Sequence, residues 1–433
     1  MARRSLLQYG SHWLKLFFMG LALGLALFVS FSYVTKSGYA VGRASAQPKY
    51  VVLAWNDLGM HCYNRDFRDL GVLPPFNNLW AQVIAVGDPP VVITQNVSVS
   101  YFFADNTYSA GKSNFWDYSQ PFWPLFGLTS LDANMGLAGK GLSGLMDVRS
   151  DHFQAVGIPL TEFSDSAPST PEPYQLATVV VTDTNTLLEL ARVVTVAPVS
   201  TEMHCDNCHS DNGPGAEGIA TGNPNTNILT KHDEENGTDL INHRPVMCAS
   251  CHGSNALGAP VQPGIPNFSQ AMHGRHSEEV PSTMAGCYNC HPGPSTRCLR
   301  DVMFSRHNMT CISCHGTLAQ VASTNRNPWL DEPRCDNGAC HGTGNAQNNP
   351  LYRLSTGHGG VYCEGCHDST HAIAPSVQPR DAIKFATWQG FGGPLLNCTT
   401  CHATLASLPA GSGPHGINPI SIRPAVYLPA LSR

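Results

Sequence analysis

Fourteen of the sixteen cysteines fall in seven clusters, and every cluster ends in histidine. Six read Cys-x-x-Cys-His: Cys205 and Cys208 with His209, Cys248 and Cys251 with His252, Cys287 and Cys290 with His291, Cys311 and Cys314 with His315, Cys363 and Cys366 with His367, and Cys398 and Cys401 with His402. The seventh is expanded, with four residues between Cys335 and Cys340 before His341. Two cysteines three apart lie on one side of a helical turn. There they can form thioethers to the two vinyl groups of a haem, while the next residue turns its imidazole to the iron. In the expanded cluster the two extra residues, with Gly338 among the four, can loop outward without moving the bonded ends. Zinc sites and redox disulfides also use Cys-x-x-Cys. Zinc predicts paired clusters at ribbon-like spacing and no histidine after every second cysteine, and seven local disulfides would cross-link almost nothing. The expected cofactors are seven haem c groups, with the fourteen cysteines as thioether donors and His209, His252, His291, His315, His341, His367 and His402 as proximal ligands.

Twelve histidines lie outside these motifs. His232, His243, His273, His276, His307, His358, His371 and His415 are the candidates for the opposite face of the iron, with His61 and His204 behind them. They outnumber the irons, so every haem can be bis-histidine. Such ligation gives low-spin iron at lower potential than His/Met and leaves no open site for a substrate. The residues do not assign the pairings. Met203, Met272, Met284, Met303 and Met309 are rival axial ligands, each better explained as packing. Cys62 and Cys298 remain after the motifs are counted and are candidates for a disulfide in an oxidising compartment.

Residues 205–402 resemble the multihaem c-type cytochromes, a family defined by attachment motifs in irregular chain, in which clusters as long as Cys335–His341 also occur. The eight residues Trp55-Asn56-Asp57-Leu58-Gly59-Met60-His61-Cys62 resemble a segment in the N-terminal domains of some bacterial members. The resemblance implies electron transfer rather than substrate conversion, with redox proteins or an extracellular acceptor as partners and self-assembly as a further option. A reductase or oxidase of a small nitrogen or sulfur compound, with one open-site haem, is the alternative. A purely interacting role, with the β region docking the cytochrome, is a third.

The elements that must hold these groups divide near Ser200. From 47 to 200 the chain shows apolar and β-branched runs at 50–55, 91–94, 97–103, 177–182 and 191–196, separated by Gly, Pro, Asn and Asp. These predict an all-β, sandwich-like domain, with 110–150 as long loops on it. From 201 to 415 the periodicity fades into Gly, Pro, Asn, His and Cys, which predicts a largely irregular heptahaem domain of short helices with haem as its core. A C-terminal tail covers 416–433. The expected class is mixed: a β-rich domain followed by a multihaem domain.

Arg3 and Arg4 precede an apolar run from about Leu16 to Val34 and the small-x-small sequence Ala44-Ser45-Ala46, so residues 1–46 read as a signal peptide. An uncleaved anchor is the alternative and the only membrane contact expected. The destination is the periplasm or cell surface. The chain has 25 basic and 31 acidic residues; five of the basic ones and none of the acidic ones precede residue 47, which leaves a formal charge of −11 beyond it. That excess argues against nucleic acid and for partners with a basic face.

Overall fold

Long β-branched runs and turn-forming Asn, Asp and Gly build the first part of the chain into strands. The computed structural model describes residues 49–418 apart from 346, 406 and 407, so the segment expected to be a signal peptide and the end of the tail lie outside the described residues. The strands are β1 (Tyr50–Trp55), β2 (His61–Cys62), β3 (Leu70–Gly71), β4 (Asn77–Ala85), β5 (Val91–Ile93), β6 (Val97–Phe103), β7 (Ser143–Leu145), β8 (Asp147–Val148), β9 (Phe153–Ile158), β10 (Tyr174–Asp183), β11 (Glu189–Ser200) and β12 (Val246–Met247).

One sheet has the order β1-β4-β9-β8, with β5 also on β4; the other runs β2-β11-β10-β6-β7. β10 lies antiparallel between its neighbours, with Val179 opposite Val193 on one side and Tyr101 on the other. The β10–β11 connection turns on Asp183, whose Oδ1 accepts from the backbone N–H of Asn185 at 2.9 Å and Thr186 at 2.8 Å, a side chain mimicking a backbone turn. Alternation along β6 buries Val97, Val99, Tyr101 and Phe103 while Phe102 faces outward, as a strand with one covered face requires. These side chains meet Leu79, Ala81 and Val83 of β4 and Phe153 and Ala155 of β9 in one core between the sheets.

β1 and β4 do not alternate, because both their faces are covered. Val52 and Ala54 turn to the core just described. Val51, Leu53 and Trp55, with Trp80 and Ile84, pack instead on Tyr362, with Leu354, Val361, Trp388 and Leu395 against them. A continuous apolar run is the signature of a strand buried on both sides, and here the second cover comes from the cysteine-rich half. Trp388 Nε1 donates to Val52 O at 2.9 Å, and buried Gln82 accepts from Tyr362 N at 3.0 Å and donates to Gly360 O at 3.1 Å. Parallel β12 joins β3, with Val246 opposite Leu70. The described residues fall in one compact unit.

Beyond Ser200 helices are short; Pro224–Asn236 and Phe268–His276 are the longest. The first starts at Asn223, whose Oδ1 accepts from Asn225 N at 2.9 Å, and stops at Gly237 with φ +64°, the usual start and stop chemistry. Between 260 and 350 no Val, Leu, Ile, Met, Phe, Tyr or Trp side chain is buried among the described residues. The class is thus mixed, a β-rich N-terminal region followed by short scattered helices. Among the described residues no helix is long and apolar enough to cross a membrane.

Candidate functional site

Each attachment motif folds as one turn. The carbonyl of the first cysteine accepts from the amide of the histidine four residues on: Cys205 from His209 at 2.8 Å, Cys248 from His252 at 3.1 Å, Cys287 from His291 at 3.0 Å and Cys398 from His402 at 2.9 Å. Cys311–His315 and Cys363–His367 are helical throughout. In the expanded motif His341 N reaches Cys335 O at 3.3 Å across six residues, so the extra pair bulges while the same two ends meet.

The histidines come together in twos. His209 faces His276 with ring centres 6.4 Å apart, His252 faces His232 at 6.2 Å, and His291 faces His273 at 6.1 Å. His315 faces His371 at 6.1 Å, His367 faces His415 at 5.9 Å, and His402 faces His358 at 5.9 Å. Every pair joins one Cys-x-x-Cys-His imidazole to one distal candidate, and no histidine is used twice. An imidazole nitrogen bonds a first-row metal at about 2 Å, with the ring centre about 1 Å further back, so two imidazoles trans on one iron have centres about 6 Å apart. All six pairs fit that spacing. Among the described residues no three His, Cys, Asp or Glu side chains converge as a bare metal ion would need; a ligand that supplies its own in-plane donors needs only two.

Partners at Nδ1 place the ring proton there and the lone pair on Nε2. His252 donates to Pro266 O at 2.9 Å. His273 and His276 donate to Ser269 O and Met272 O, one helical turn back, each at 2.7 Å. Asn227, fully buried, spends its amide hydrogens on Ile219 O, so its Oδ1 accepts from His209 Nδ1 at 2.9 Å. Thr238 donates its hydroxyl to Asp233 and accepts from His232 Nδ1 at 2.9 Å. Asp88 Oδ1, from the β region, accepts from His402 Nδ1 at 3.2 Å. Such contacts fix tautomer and ring orientation in histidine–metal sites. Burial, then the neighbouring imidazole, pushes His291 and His367 down to about 4 and His371 to about 3. All three are neutral at physiological pH, the form that binds a metal. His371 (φ +63°) and His415 (φ +55°) sit in the left-handed region, where a residue other than glycine stores about 1–3 kcal/mol of strain, a cost found concentrated at functional positions.

Neighbouring motifs form a file. Burial raises these thiols, and beyond burial each is raised by a cysteine of an adjoining motif: Cys248 by Cys205, Cys290 by Cys205 and Cys208, and Cys311 by Cys287. Cys314 is raised by Asp301 and then by Cys340, Cys363 by Cys335 and Cys401 by Cys366. The motifs therefore follow one another from Cys248 through Cys205, Cys287, Cys311, Cys335 and Cys363 to Cys398. The helix Phe268–His276 ties two of them, since His273 and His276 reach different motifs. An open cleft of about 470 Å³ lies over Cys314 and His315, lined by Arg326, Leu330, Glu332 and Arg334 among others.

The remaining candidates are placed as follows. His243 and His307 are exposed and stand outside the six pairs. His341 is exposed and acts electrostatically on His367. His61 is buried on β2 with Nε2 at 2.9 Å from Pro74 O, and burial pushes it down to about 4. His204 meets Glu202 Oε1 at 3.3 Å. Cys62 and Cys298 pack against one cluster of Met60, Tyr174 and Val196.

The sequence does not single out a buried ionic group under the sixth motif. Glu364, inside Cys363–His367, is fully buried with neither carboxylate oxygen hydrogen-bonded, and burial, then Asp57, holds it well above the usual range. Burial also raises Asp57 to about 6. Lys384 Nζ donates to Glu364 O at 3.1 Å and Asp368 Oδ1 at 3.2 Å. Its position on a seven-residue helix ending at Gly390 carries no pattern that would announce it.

No protein-family model, curated protein or solved structure matches the chain.

Proposed function

We propose that this protein is an exported multihaem c-type cytochrome that passes electrons along its C-terminal half. The observation that carries the proposal is the set of six histidine pairs, each made of one motif imidazole and one partner imidazole at a separation that would let both hold one iron. When bound, haem c supplies reversible one-electron exchange at iron. The chain's own residues do the rest. The cysteines would fix each group covalently, Asn227, Thr238, Asp88 and the carbonyls of 266, 269 and 272 orient the imidazoles that would hold it, and the single file of motifs would set the order of the sites. That no Val, Leu, Ile, Met, Phe, Tyr or Trp side chain is buried between 260 and 350 among the described residues supports the reading that porphyrins fill this region in place of a conventional core. Pairing at six of the seven motifs also favours a conduit over the reductase alternative, since an imidazole on each face leaves no coordination position for a substrate. We assign the protein to the periplasm or cell surface, with redox proteins or an extracellular acceptor presenting a basic face as its partners.

The test is haem quantitation as the pyridine haemochrome, with intact mass, on protein matured in a host competent for c-type attachment. Seven covalent haems per chain are expected. A chain that matures without covalent haem would end the proposal.

A further inference from the structure

Cys62 and Cys298 are the two cysteines that the attachment motifs do not use. They are 236 positions apart, yet both pack against Met60, Tyr174 and Val196. They are near enough that a charge on Cys298 acts on Cys62. Cys62 ends β2, held parallel to Ser200 on β11. Cys298 lies in a loop docked on the same edge: Tyr174 Oη donates to Arg297 O at 3.0 Å, Ser200 Oγ meets Thr296 Oγ1 at 2.8 Å, and the Glu202 carboxylate accepts from the amides of Thr296 at 2.7 Å and Ser295 at 3.1 Å. On its other side Cys298 Sγ lies 3.8 Å from His371 Nδ1. His371 is the imidazole that faces His315, at the fourth motif, in the middle of the file.

We propose that Cys62 and Cys298 form a disulfide in the exported protein, which staples the β region to the 292–300 loop and tunes the redox site at His315 and His371 through the sulfur of Cys298. The second half of this statement rests on the function proposed above; the first does not. The bond forms by thiol–disulfide exchange with an oxidised dithiol protein of the exported compartment. The thiolate of one cysteine attacks that protein's disulfide and releases one of its thiols. The second cysteine then displaces the mixed disulfide, so two S–H bonds here become one S–S bond and the oxidant leaves as a dithiol. When the ring proton of His371 is on Nδ1, it donates to Cys298 Sγ and leaves the lone pair on Nε2. A disulfide sulfur accepts that hydrogen bond less well than a thiol sulfur, and the hydrogen bond at Nδ1 governs how strongly the opposite nitrogen donates to a metal.

The experiment uses full-length matured protein, denatured without reductant, alkylated with iodoacetamide and weighed intact. No alkylation without reductant, and two alkylated cysteines after reduction, are expected; two alkylated cysteines without reductant overturn the staple. Haem count is read in the same spectrum, so seven haems with two free thiols sink this inference alone, whereas one disulfide with no haem sinks the proposed function alone. For the tuning, the Cys62→Ser variant is titrated spectroelectrochemically beside the wild type. One of the seven one-electron waves should move while the others stay. A lowered Tm with all waves unmoved overturns the tuning and leaves a merely structural bond. Should Cys62→Ser fail to mature, wild-type protein treated with a phosphine reductant replaces it, with the same two outcomes.

Discussion

The β region and the cysteine-rich half solve the problem of burying a chain in opposite ways. Of the buried hydrophobic side chains among the described residues, thirty-seven precede residue 201 and twelve follow it, and several of those twelve, such as Met247, Ala249 and Tyr362, belong to clusters centred on the strands. The first region is a core with loops attached. The second is a set of loops whose histidines already stand in pairs. The difference teaches where stability and function reside: aliphatic burial fixes the strands independently of any cofactor, while the residues that carry chemistry sit on turns that few side chains of their own hold in place.

The comparison breaks most visibly in protein made without haem attachment. Amide exchange across 260–350 should then approach the rate of an unstructured chain, while β10 and β11 keep protection by several orders of magnitude, measured by mass spectrometry of the full chain. Equal protection in both regions would show that the second half has a core of its own. Next in size, Leu79→Ala in the β core should cost about 2–5 kcal/mol. It should appear as a lowered Tm with unchanged visible spectra, and a spectral change would mean that the halves are not separable in this way.

At the seam between them, Asp57 sharpens the contrast. Its folded pKa is raised from 3.8 to about 6, chiefly by burial, so the favourable contribution of its protonated form is complete below about pH 4 and is lost as pH climbs through about 6. Asp57→Asn should therefore stabilise the protein at pH 7 by about 2–3 kcal/mol and flatten the stability profile between pH 4 and 6. A denaturation series that keeps its slope there would contradict this. The smallest effect belongs to the second region: Asn227→Ala, which leaves the half-buried Nδ1–H of His209 without its acceptor, should cost about 1–2 kcal/mol. It should nonetheless shift one redox wave, the reverse of Leu79→Ala.

Much of the β region was legible. Alternation at 97–103 and the Asp183 turn are read directly from residue types. β4 and β9 were not, although β4 is central in its sheet: Asn77 and Asn78 look like a turn, and Gln82 looks out of place in an apolar strand until its partners Gly360 and Tyr362, some 280 residues on, are seen. β7 and β8 lie in 110–150, which reads as loop because Gly and Ser outnumber branched residues there. The run Tyr50–Trp55 predicts a strand but not that the cysteine-rich half covers its second face. At the site, the motif residues are legible because their spacing lies within one turn and is the one that thioether attachment beside an iron ligand would require. The pairings are not, because the partner histidines obey no local rule: His232 lies twenty residues before His252, while His371 lies fifty-six after His315. The orienting groups, Asn227, Thr238 and Asp88, leave no trace in sequence because any hydrogen-bond acceptor in the right place serves.

The central claim is that paired histidines hold iron on both faces. Low-temperature electron paramagnetic resonance of the oxidised, matured protein tests it most directly: low-spin ferric signals of bis-histidine type should account for at least six of the seven irons, and high-spin signals from several irons would contradict the pairing.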